Sequence, residues 1–168
     1  MKLSKLTIFF GAYIVIAALY MNQAWYFLER LIGRQNVKML GVSFLFMAAA
    51  LLFWYTIKSG RGILKILFRL AIISGALIFA LRQPYLVEKL HVAEYGLLGW
   101  LAARDLNKNK LMLKNILMAF LFAVLITVLD EGLQKLLPWR VCDLRDVITN
   151  CISSALGIIF FALSLWVV

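Results

Sequence analysis

Residues 6–28, 39–57 and 111–129 are predominantly apolar stretches, each about 20 residues long, which is what an α-helix needs to cross a hydrocarbon core of about 30 Å. A fourth, 64–81, carries Lys65 and Arg69 near its start, where long basic side chains can snorkel to the interface. A fifth, 151–168, is apolar apart from small hydroxyl residues. With a mean hydropathy of +0.92, a water-soluble fold would expose large sticky patches, so lipid is the expected solvent. The fold class is therefore all-α: a polytopic integral membrane protein of about six transmembrane or partly inserted helices, forming one domain over residues 1–168.

The start, M-K-L-S-K before an apolar run, has the basic flank of a signal peptide. The run continues to Leu28, far longer than a signal core, and predicts an uncleaved first span. Cys142 and Cys151, if they share a helix, lie about 13 Å apart, too far for a disulfide, and read as small apolar filler.

Residues 84–103 are the ambiguous segment. Pro84 suits a first helical turn, yet Glu88, Lys89, His91 and Glu94 follow. An interfacial helix is one reading. A sixth span is preferred because it puts both termini on one side, with ten Lys and Arg on that side against eight opposite. That bias favours cytoplasmic termini. The acids are more uneven, with Asp105 on the terminal side and seven opposite. Anionic lipid accounts for the net charge of +10, and no nucleic-acid motif competes with it.

Ionisable residues at membrane depth are costly and mark functional candidates. Glu88, His91 and Tyr95 fall on one helix face with Glu94 beside them. His91, the only histidine in the chain, has carboxylates at i−3 and i+3 and suits acid–base work. Asp130, Glu131 and Gln134 end the 111–129 span, a place where acids also simply face headgroups. Asp143, Asp146 and Asn150 share a third face, while Arg145 points elsewhere. Asp143 also suits an N-cap. Pro138 breaks the preceding helix, and Arg140, beside Trp139 at headgroup height, suits a phosphate or an acid. All three groups lie at one membrane face, which predicts a polar cavity with Asp146 and Asn150 opposite His91 and its acids.

The segment D-E-G-L-Q-K-L-L-P-W-R-V-C-D-L-R-D-V-I-T-N-C-I-S-S-A-L-G, 130–157, resembles the signature of the VanZ-like family. The upstream E-K-L-H-V-A-E-Y-G-L-L-G, 88–99, is similar to that family's other motif, so the motif region falls within 84–168. Ser153 and Ser154 stand where small glycines are common, and are small enough to keep helices close. The resemblance implies a bacterial cell-envelope protein linked to resistance to the glycopeptide teicoplanin. It also implies a relation to enzymes acting on lipid headgroups.

Three functions follow as expectations. The first is an enzyme at a phosphoester of a lipid headgroup, hydrolase or transferase, with membrane lipids as partners. His91, set by Glu88 or Glu94, would be its base or nucleophile, and Arg140 with Lys89 would hold the phosphate. Asp130, Glu131, Asp146 and Asn150 would orient the attacking group, with Tyr95, Gln134 and Asp143 contacting substrate. Glu94, Glu131 and Asp146 are candidate ligands for a divalent cation, Mg²⁺, Mn²⁺ or Ca²⁺. The second is a lipid- or antibiotic-binding protein without chemistry, and the third an assembly subunit.

Overall fold

The computed structural model describes residues 2–59, 62–107, 111–137 and 143–165. Among these there are six α-helices and no strand: α1 (Lys5–Ile32), α2 (Arg34–Ser59), α3 (Ile63–Arg82), α4 (Leu86–Leu106), α5 (Leu113–Leu136) and α6 (Leu144–Leu165). Five of them, all but α4, are long and apolar enough to cross a membrane, so the chain is a multi-pass membrane protein. Gly33 alone separates α1 from α2, at a φ of 84° that side chains other than glycine rarely adopt.

The reason α4 is less apolar lies in its position. It touches all five other helices, so its polar residues meet protein instead of lipid. Its 21 residues rise about 31 Å, and it runs parallel to α6 throughout. Gly96 and Gly99 of α4 meet Ser153, Ser154 and Gly157 of α6 backbone to backbone. A Cβ at Gly99 would collide with the Ser154 carbonyl, and one at Gly157 with the Gly96 carbonyl. Ser153 and Ser154, 1% and 0% exposed, thus preserve the close crossing expected of small residues.

The start of α1 and the end of α4 share one end of the bundle. There Asp105 Oδ2 accepts the Ser4 amide at 2.7 Å and the Thr7 hydroxyl at 2.5 Å, while Oδ1 pairs with Arg104. Asn107 accepts the Met112 amide, steadying the entry to α5. The starts of α4 and α6 and the end of α5 lie at the opposite end.

Two basic residues depart from expectation. Lys89 is buried, and its ammonium donates to the carbonyls of Leu81, at 2.6 Å, and Gln83. It caps the C-terminal end of α3, where unpaired carbonyls and the helix dipole favour a cation, so it is not placed to hold a phosphate. Arg69 does not snorkel outward: it is 6% exposed, with its guanidinium 5.4 Å from the Phe160 ring centroid. Cys142 lies outside the described residues, and Cys151 is half-buried in α6.

Candidate functional site

Helix continuity brings the polar groups together. α5 runs about two turns past its apolar stretch, so Asp130, Glu131 and Gln134 are helical and buried rather than exposed at a span's end. α6 begins at Leu144, well before its apolar run. Its start is capped by Asp143, whose Oδ1 accepts the Arg145 amide at 2.9 Å, the N-cap geometry expected from sequence.

Asp130, 2% exposed, has both carboxylate oxygens engaged. The Tyr95 hydroxyl donates to Oδ2 at 2.8 Å and the Gln134 amide to Oδ1 at 3.1 Å. A buried carboxylate requires such partners. Tyr95, fully buried, therefore joins α4 to α5, and its ring centroid lies 6.0 Å from that of His91.

His91 and Glu94, both half-buried, line a cavity of about 30 Å³ with Asp130. Val87 and Leu90 of α4 complete that side, and the facing wall is α1: Ile14, Ala17, Ala18, Met21 and Trp25. The volume suits a water or two. Trp25 Nε1 is sealed from solvent and has no hydrogen-bond partner among the described residues.

A second cluster lies nearer the mouth. Arg145 Nη2 pairs with Glu88 Oε1 at 2.5 Å across the α4–α6 crossing, and Asp146 and Asp143 are close enough to act on Glu88 electrostatically. Asn150, fully buried in α6, has neither amide atom hydrogen-bonded to a described residue.

The structure thus unites Glu88, His91, Glu94, Tyr95, Asp130 and Gln134 with the start of α6, but redistributes the walls. The cavity opposite His91 is closed by α1, not by Asp146 and Asn150, and Glu131 is buried outside its lining. Arg145, read from sequence as pointing elsewhere, is the cation that meets Glu88 of α4. Arg140 lies outside the described residues. No group of three or more His, Cys, Asp or Glu among the described residues is arranged to hold a metal ion, so Glu94, Glu131 and Asp146 do not converge as a ligand set. Sequence reasoning missed Trp25 and the α1 wall, because an apolar helix gives no sign of which face it turns to a site.

The arrangement can hold a small polar molecule against an imidazole and a carboxylate, beside an anchored second carboxylate. That is the equipment for moving a proton. Comparison of the chain with protein-family models, curated proteins and solved structures finds no match.

Proposed function

We propose that this is a VanZ-like protein of the bacterial cytoplasmic membrane that acts on a phosphate-linked lipid headgroup, a phospholipid or polyprenyl carrier, at the outer face. Its termini are then cytoplasmic, and its activity bears on glycopeptide resistance. The observation that carries this reading is the cavity in which His91 and Glu94 stand beside Asp130. A water or hydroxyl held there loses its proton to His91 as its oxygen attacks phosphorus, and the ester oxygen departs. Asp130, with both oxygens engaged by Tyr95 and Gln134, fixes the geometry instead of taking the proton. The phosphate approaches from the mouth, where Arg145 can turn from Glu88 towards it.

The test is lipid mass spectrometry on cells overexpressing the wild type, His91→Ala or Glu94→Gln at matched membrane levels. A lipid species altered by the wild type and by neither variant is expected. Purified His91→Ala protein that retains full lipid turnover would refute the reading.

One observation favours a non-catalytic binding protein or assembly subunit. The cavity of about 30 Å³ is too small for a headgroup, and the Arg145 guanidinium is already paired. Under that reading Glu94→Gln weakens ligand binding gradually, and no lipid is consumed.

A further inference from the structure

Among the described residues, the end of the bundle that carries Ser4 and Asp105 holds a buried cation with no counter-ion. Arg69 makes no hydrogen bond or ion pair with a described residue, and its Nε is sealed from solvent without an acceptor. Its guanidinium lies over the face of Phe160, and the Tyr55 side chain is close enough to act on it electrostatically. Asp105, the one acid among the described residues at this end, is taken by Ser4, Thr7 and Arg104. A guanidinium desolvated to this degree calls for an anion.

The surroundings say which anion. Ala49 of α2, Ile73 of α3 and Phe160 of α6 form one buried cluster. Arg69 lies one turn from Ile73 towards the Ser4 end, and Thr56 lies two turns from Ala49 in the same direction. Thr56 is fully buried and its hydroxyl has no partner among the described residues. Lys65, four residues before Arg69 and half-buried, shares its helix face. Two cations and a hydroxyl, with no acid among them, suit a phosphate oxyanion, which a guanidinium fork holds through two parallel hydrogen bonds. Arg69 stands about 9 Å along α3 from Ile63, a depth that a group carried within the membrane reaches from the side.

We propose that Arg69, Lys65 and Thr56 form a binding site for the phosphate of an anionic lipid, at the opposite end of the bundle from the His91 cavity and independent of it. The lipid supplies the charge that the protein leaves out, and bound there it ties α3 to α2 and α6.

The experiment is thermal unfolding of the purified full chain in neutral detergent, titrated with phosphatidylglycerol, phosphatidylcholine or inorganic phosphate. For the wild type, phosphatidylglycerol should raise the melting temperature saturably, phosphatidylcholine less, and inorganic phosphate not at all. Arg69→Met, which keeps the bulk and removes the charge, should melt no lower than the wild type without lipid. It should need about ten-fold more phosphatidylglycerol for half the shift. Equal half-saturation in Arg69→Met and the wild type would overturn the site. A matching shift from inorganic phosphate that competes with the lipid would overturn the lipid as its source. Should Arg69→Met not fold, Arg69→Lys takes its place: several-fold weaker binding supports the fork, and unchanged binding overturns it.

Discussion

The Tyr95 hydroxyl, fully buried on α4, donates to Asp130 Oδ2 of α5 at 2.8 Å, and this bond fixes the carboxylate beside His91 and Glu94. Tyr95→Phe leaves that oxygen buried without its donor. Unfolding in detergent should show a loss of about 1–3 kcal/mol, the usual cost of a stranded buried acceptor. A variant as stable as the wild type would mean that Asp130 finds its support elsewhere.

The α4–α6 crossing should tolerate no added side chain. Gly99→Ala and Gly157→Ala each force a methyl group against a facing carbonyl and should lower stability by about 1–3 kcal/mol or more. Gly132 supplies the control, because a Cβ there meets nothing within 4 Å. Gly132→Ala should be neutral or gain up to about 1 kcal/mol from helix propensity.

Lys89→Met tests whether the buried ammonium serves α3. Loss of its donations to the Leu81 and Gln83 carbonyls should destabilise the fold by about 1–3 kcal/mol. Lipid turnover per folded molecule should stay at the wild-type level. Normal stability with abolished turnover would instead return Lys89 to the site.

The Glu88–Arg145 pair is partly exposed, the Arg145 side chain at 48%, so its coupling should be modest. A double-mutant cycle through Glu88→Gln and Arg145→Gln should give about 1 kcal/mol or less, shrinking with salt. A coupling of zero would mean that the two side chains do not hold each other in solution.

Much of this architecture is legible in the sequence, for reasons that particular residues make plain. Hydropathy finds five apolar helices, and the pattern of residues 84–103, opening with Pro84, finds α4 as a helix. α4 is not among the five long and apolar enough to cross a membrane. Asp143 announces a cap because its type and position before an apolar helix are local signals, and Ser153 and Ser154 announce close packing by their size. What stays hidden depends on how each helix is rotated against its neighbours. The i,i+3 spacing of Asp143 and Asp146 groups them on one face, yet it is Arg145, between them, that crosses to Glu88. Lys89 looks like a membrane-face cation until the end of α3 arrives beneath it. Arg69 looks like a snorkelling side chain until Phe160 of α6, far along the chain, gives it a reason to turn inward. Hydropathy also stops counting at Asp130 while the backbone continues as helix to Leu136, so apolar windows mark where lipid ends and not where the helix does.

The central place of α4 bears on how the chain is made. As it leaves the ribosome, α4 brings Glu88, Lys89, His91 and Glu94 towards a bilayer that charges each such residue an insertion penalty. The groups that relieve it are unevenly available: the α3 carbonyls for Lys89 already exist, but the partners on α5 and α6 are still unsynthesised. If α4 spans as the loop charges suggest, its insertion has to wait for, or be sheltered until, the arrival of α5 and α6. Truncation after residue 107 should leave a chain that holds three helices firmly in the membrane and surrenders the fourth to the surface.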